Sequence, residues 1–125
     1  MGDLSENFSR REFACRCGCG FDTVDVRLIE LLEDIRSHFN APVRINSGCR
    51  CKSHNKKVGG AKNSQHLYGR AADIIVDGVQ PKHVYEYIST LETTKYGIGN
   101  YATFTHVDSR TGFWRKRGFL NGLIK

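Results

Sequence analysis

Ser64-Gln65-His66-Leu67-Tyr68-Gly69-Arg70-Ala71-Ala72-Asp73-Ile74-Ile75-Val76 is the stretch on which the reading of this chain turns. Its second half, Ala71–Val76, has the apolar composition of a strand, and Gly69 just before it lets the chain turn sharply. Asp73 interrupts that strand. A carboxylate among apolar neighbours is costly without a partner, and a metal ion is one of the few partners that justify it. His66 on the preceding loop and His106 in Thr105-His106-Val107-Asp108 complete a set of two imidazoles and one carboxylate. Such a set leaves a fourth zinc position for water, which becomes nucleophilic near neutral pH while the metal polarises a carbonyl. The same residues also fit a capped loop, a satisfied core histidine and a salt-bridged aspartate. H-x₆-D is a far weaker pattern than H-E-x-x-H, so spacing alone leaves both readings open.

Upstream of this stretch, Asp22 reads as an N-cap, and Val24, Leu28, Leu31, Leu32, Ile35 and Phe39 recur at helical spacing. They predict an amphipathic helix over 22–39, closed by Asn40-Ala41-Pro42. Val43-Arg44-Ile45-Asn46 alternates like a strand and runs into a turn at Ser47-Gly48. Residues 1–21 form an irregular, cysteine-rich entry with a helical turn around Arg10–Ala14, and 51–65 is polar with a break at Gly59-Gly60. Downstream, Pro81 suits the first position of a helix whose apolar face is Val84, Ile88 and Leu91. Strands are expected around 97–101 and 103–108, then a basic strand or tail over 113–125. Helices and short strands that do not alternate regularly predict an α+β fold.

A chain of 125 residues has room for one domain, 1–125. Its 39% hydrophobic and 26% charged residues exclude wholesale disorder. No apolar run approaches the roughly 20 residues of a membrane helix, and Met1–Glu6 lacks the basic-then-apolar pattern of a secretory leader. The expectation is a monomer made in the cytoplasm without a signal peptide and without stable membrane insertion. The net charge is +6, and its distribution is uneven: Ile35 to Ala72 holds eight Lys/Arg and no acid. That suggests an anionic partner (nucleic acid, an acidic envelope polymer or a carboxylate-bearing substrate) or simply a solvated basic surface. The chain has neither zinc-finger spacing nor an RRM-like aromatic motif, which argues against nucleic acid. Five cysteines fall in two clusters, Cys15-Arg16-Cys17-Gly18-Cys19 and Cys49-Arg50-Cys51. The odd count leaves at least one thiol unpaired, and neither cluster has C-x₂-C spacing. A second, structural ion at the cysteines, a disulfide between the clusters and plain buried thiols all remain open.

Ser47-Gly48-Cys49-Arg50, Gly59-Gly60-Ala61-Lys62-Asn63-Ser64 through Asp73, and His106-Val107-Asp108 together resemble the zinc D-Ala-D-Ala carboxypeptidase family, with its related phage and bacterial murein peptidases. The S-x-H-x-x-G-x-A-x-D signature is matched at Ser64, His66, Gly69, Ala71 and Asp73, and the similarity runs from about Phe8 to Trp114. The resemblance implies a hedgehog/DD-peptidase fold, an antiparallel sheet with helices packed on it. It implies one catalytic Zn²⁺ held by His66, Asp73 and His106. It also implies that Arg50 binds a substrate carbonyl or carboxylate, a role suited to a rigid guanidinium, with Ser47 and Ser64 beside it.

One departure stands out. Many family members carry an acidic residue three positions before the last histidine ligand, or a histidine two before it; here those positions are Thr103 and Phe104. Strand alternation puts Asp108 on the face of His106, roughly 6–7 Å along the strand. Asp108 is therefore a candidate proton acceptor, or else it orients a ligand or Arg110. The function implied is a metallopeptidase cutting peptidoglycan stem peptides, of D-Ala-D-Ala carboxypeptidase or L-Ala-D-Glu endopeptidase type. The small size fits a phage-type endolysin that a holin-like membrane-permeabilising protein would release. The alternative is a zinc-stabilised binding module of the same fold without catalysis.

Overall fold

The structure is a computed structural model that describes residues 2–91, 95–117, 119–120 and 123–124. After a 3₁₀ turn at Arg10–Phe13 come α1 (Val26–Phe39), β1 (Val43–Ser47), α2 (Lys52–Lys57) and a second 3₁₀ turn at Gln65–Tyr68. β2 (Ala71–Val76), α3 (Pro81–Leu91), β3 (Tyr96–Asn100), β4 (Thr105–Asp108) and β5 (Phe113–Lys116) follow. A small antiparallel pair, β6 (Phe119–Leu120) and β7 (Leu123–Ile124), ends the described chain. Of the expected segment 113–125, residues 118, 121, 122 and 125 lie outside the described residues.

α1 starts at Val26 instead of at Asp22. The reason lies outside the local pattern: the Asp25 N–H donates to Gly69 O at 2.8 Å, which ties the preceding residues into an extended path, and Asp25 becomes the N-cap. Val24, expected on the helix, packs against the core from that extended segment. The far end behaves as its residues predict, with Asn40 in the left-handed region at φ 49° before Ala41-Pro42.

Five strands form one sheet in the order β1-β2-β4-β3-β5. Pairings along β1-β2-β4-β3 are antiparallel, but β5 runs parallel to β3, so the sheet is mixed. The chain reverses after β4 and steps over β3 to its outer side, which makes β5 antiparallel to β4 and therefore parallel to the strand between them. Alternation divides the sheet. Ala72, Ile74, Val76, Ile98 and Val107 share a buried cluster with Leu28, Leu31, Leu32 and Ile35 of α1 and Val84, Tyr85 and Ile88 of α3. Phe8 and Phe13 of the entry segment close that core. In register, Asp73 stands opposite His106 and Ala71 opposite Asp108. Asp73, His106 and Asp108 therefore share the face turned away from the helices, which is why an apolar strand can carry a carboxylate.

Candidate metal centre

Ser64 caps the second 3₁₀ turn by accepting the His66 N–H at 3.1 Å, which sets the direction in which the imidazole leaves the loop. Gly69 then turns the chain into β2 at φ 68°, and a Cβ there would stand 2.3 Å from Thr23 O. This position needs glycine on both counts. The result places His66 Nε2 3.2 Å from Asp73 Oδ1, and His106 Nδ1 3.1 Å from the same oxygen. The three side chains are nearly closed to solvent: His66 is 2% and Asp73 9% exposed, and the His106 side chain 12%.

The outer nitrogens settle what the inner ones offer. His66 Nδ1 lies 2.6 Å from the Gly48 carbonyl, and His106 Nε2 lies 2.8 Å from Asp108 Oδ2. Both partners are acceptors, so each outer nitrogen carries the proton and each neutral ring turns its lone pair toward Asp73 Oδ1. Three acceptor atoms then converge with no donor between them, an arrangement that calls for a cation. Bonds of 2.0–2.2 Å in tetrahedral geometry separate ligand atoms by about 3.3 Å, close to the spacing found. His66, Asp73 and His106 thus fit a zinc ion. The electrostatics agree. Where the facing nitrogens carry protons, those protons stand in for the cation: burial alone would raise the Asp73 pKa, but hydrogen bonds and charge from His106 and His66 pull it well below the usual carboxylate range. Burial works against protonation of His106, yet the bonds to Asp108 and Asp73 push its pKa up. The pocket favours positive charge.

Arg50 closes the centre from β1's side. Its Nη2 donates to Asp73 Oδ2, its Nε to Ser47 Oγ and its Nη1 to Asn55 Oδ1, each at 3.2 Å. The guanidinium therefore fixes the carboxylate oxygen that the histidines do not approach. Arg50 also lines an open cleft of about 520 Å³ with Gln65, Tyr101, Phe104, Arg110, Trp114 and the three candidate ligands. Asp73 is the one carboxylate among the described residues that line it.

The other sequence candidates occupy distinct places. Ser64 lines the cleft, but its hydroxyl is engaged in the cap. Ser47 does not line it, and reaches the site only through Arg50. Asp108 is 0% exposed and does not line it either. Its two oxygens accept from Arg110 Nε and Nη2, both at 2.7 Å, from the Arg110 N–H at 3.2 Å, and from His106. Burial opposes ionisation here too, but the His106 and Arg110 bonds hold the Asp108 pKa below the ordinary carboxylate range. Asp108 thus has no free oxygen with which to take a proton from a water in the cleft. The shared strand face thus brings Asp108 to His106 and Arg110, beneath the cleft floor.

Two contributors carry no sequence signal that singles them out, and a third acts through its backbone. Trp114 packs edge-on against the His106 ring at 5.5 Å and carries the Arg110 guanidinium at 5.3 Å. Asn55 is buried, accepts from Arg50 and donates to Ala61 O at 2.8 Å, so it braces the loop beside the cleft. Gly48 acts through its backbone carbonyl. The first depends on β5 lying beside β3, the second on a fold of the 51–65 loop; neither leaves a periodic trace.

Residues 6–108 match the model of the peptidase M15 family, and the chain belongs to that family. A stretch of 33 residues is 52% identical to zinc D-Ala-D-Ala carboxypeptidase of Streptomyces albus G. It covers 26% of this chain and only 13% of that relative's length.

Proposed function

We propose that this chain is a zinc peptidase that hydrolyses an amide bond in peptidoglycan stem peptides, with His66, Asp73 and His106 as the metal ligands. The observation that carries this reading is the convergence of His66 Nε2, Asp73 Oδ1 and His106 Nδ1 in a nearly closed floor beneath an open cleft. Zinc bound there supplies Lewis acidity toward a carbonyl and a water acidic enough to attack near neutral pH. The protein's own groups do the rest. Arg50 has five N–H donors, of which three are used internally, leaving two for a substrate carbonyl or carboxylate. Asp108 acts on His106 rather than on water: it holds the ring in the tautomer that binds metal. Trp114, Tyr101 and Phe104 give the cleft an apolar wall. An anionic substrate also suits the adjoining groove, which Lys52, Lys56 and Lys62 border.

The carboxypeptidase and endopeptidase forms, an endolysin role with release by a separate permeabilising protein, and action as a single-domain monomer belong to the same proposal. Purified sacculi incubated with zinc-loaded protein test it by mass spectrometry of the released termini. Free D-alanine marks the carboxypeptidase and a new L-alanine C-terminus the endopeptidase. No new terminus from fully loaded protein refutes hydrolysis. That outcome would support a zinc-stabilised binding module, a second reading motivated by the lack of any carboxylate other than Asp73 among the described cleft residues.

A further inference from the structure

Away from the cleft, the fold brings four sulfurs from two segments into one group. Cys15, Cys17, Cys19 and Cys51 each offer a sulfur, all within 4.8 Å of one another. The Cys15–Cys17 separation is 3.4 Å, Cys17–Cys51 3.7 Å and Cys15–Cys51 3.8 Å. We propose that these four cysteines bind a second divalent ion, zinc by chemistry, in a structural four-thiolate site that clips the N-terminal segment to the loop bearing Arg50.

The distances carry the choice of chemistry. Sulfurs about 2.3 Å from a central zinc in a tetrahedron lie about 3.8 Å apart; Cys15, Cys17 and Cys51 sit at 3.4–3.8 Å from one another and Cys19 lies within 4.8 Å of them. A disulfide would draw two sulfurs to about 2.05 Å and serve only pairs, whereas here Cys15, Cys17 and Cys51 each have two sulfur neighbours at 3.4–3.8 Å. The donor set contains no imidazole or carboxylate, and soft thiolates select zinc over magnesium or calcium. Backbone donors point at the sulfurs as at anions: the Cys51 N–H toward Cys15 Sγ and the His54 N–H toward Cys51 Sγ, both at 3.4 Å. Four thiolates around a divalent ion leave a net charge of −2, and the site sits against the acid-free stretch 35–72, with Lys52 next in sequence to a ligand.

The fifth cysteine explains the odd count. Cys49 is 2% exposed, and its thiol approaches the Phe13 carbonyl at 3.2 Å and the Phe21 carbonyl at 3.0 Å. It is a donor to two acceptors, and so a retained thiol. Arg16 is equally accounted for. Between two ligands, it turns its guanidinium away to the carbonyls of Glu12 and Ile45, both at 2.8 Å, which seats the cysteine loop on the end of β1. Cys51 adjoins Arg50, so the ion would fix the backbone from which Arg50 reaches Asp73. A metal tie across 36 residues also removes much of the freedom of the unfolded chain.

The test uses the full chain purified anaerobically with reductant and loaded with zinc. Elemental analysis is expected to give two ions per chain, falling to one in Cys17→Ser and, independently, to one in His66→Ala. Cobalt(II) in place of zinc is expected to give intense thiolate-to-metal charge-transfer absorption that His66→Ala keeps and Cys17→Ser loses. If Cys17→Ser does not fold, an organomercurial titration of the native wild type stands in for it, with one ion expected to leave as four thiols react. A single ion in the wild type, no thiolate–cobalt absorption, or titration of four thiols without loss of metal would each overturn the site.

Discussion

Replacing Asp108 by asparagine separates a residue that positions His106 from one that takes a proton. The side chain is 0% exposed, and its Oδ2 accepts from both His106 Nε2 and Arg110 Nη2. An amide in one orientation sets NH₂ against those two donors; flipped, it sets NH₂ against Arg110 Nε and the Arg110 N–H. Either way at least two bonds are lost and Arg110 keeps a charge without a counter-charge. Removing one partner of a buried pair costs about 3–5 kcal/mol. The Arg110 side chain is 28% exposed and regains some water, which puts the expected loss at the lower end, about 3 kcal/mol. In the first orientation His106 also loses the acceptor that orients it, which should lower zinc affinity about 10–100-fold; in the flipped one His106 keeps its acceptor and the loss falls on Arg110. Urea unfolding of the metal-free protein reads the first quantity, and competition with a chromophoric chelator the second. An asparagine variant with unchanged stability and zinc affinity, but turnover down about 10²–10⁴-fold, would refute the positioning argument and make Asp108 the proton acceptor.

Gly97→Ala should resemble Asp108→Asn, because the new Cβ would stand 2.0 Å from Asp108 Oδ2; chelator competition should show weakened zinc binding without any change in the ligand set. Arg50→Lys cannot hold Ser47, Asn55 and Asp73 at once, so kcat/KM on a stem peptide should fall about 10–100-fold while zinc content stays whole, as expected for losing charged hydrogen bonds worth roughly 1.5–3 kcal/mol. Glu33 links α1 to the entry segment through the Asn7 side chain and N–H and the Ser5 hydroxyl. Burial would raise its pKa, but those bonds, with Arg36, lower it below the ordinary value for a glutamate. Its contribution is therefore complete above the unfolded value and is lost as pH falls through the folded one. Thermal unfolding of Glu33→Gln should show up to about 1 kcal/mol less stability at pH 7, and a shallower loss on acidification below pH 4.5 than the wild type.

What the sequence made legible, and what it hid, follows from the range of the interactions. The turn-to-strand passage from Ser64 to Val76 is local: a cap, a left-handed glycine and an apolar run read correctly as they stand. Asp73 stands out because it breaks its own strand's pattern, but its grouping with His66 and His106 comes from the signature resemblance, since spacing alone leaves both readings open. The start of α1 was misplaced by four residues because a bond from Asp25 to Gly69, distant in sequence, overrides the nearer cap at Asp22. The shared face of His106 and Asp108 was predictable from alternation, but whether Asp108 meets water or protein depended on Arg110 covering it. Trp114 reaches His106 only because β5 crosses to the far side of β3, and strand order is not written in periodicity. The cysteines were seen as two clusters; that Cys51 leaves Cys49 to join the other three depends on how β1 delivers the second cluster to the entry segment.

The most direct test of the central claim is anomalous diffraction at the zinc edge from crystals of the zinc-loaded protein. The account predicts a strong peak bounded by His66 Nε2, Asp73 Oδ1 and His106 Nδ1, absent in crystals of His106→Ala. A map of the loaded protein with no peak among those three atoms would contradict it, wherever else zinc were found.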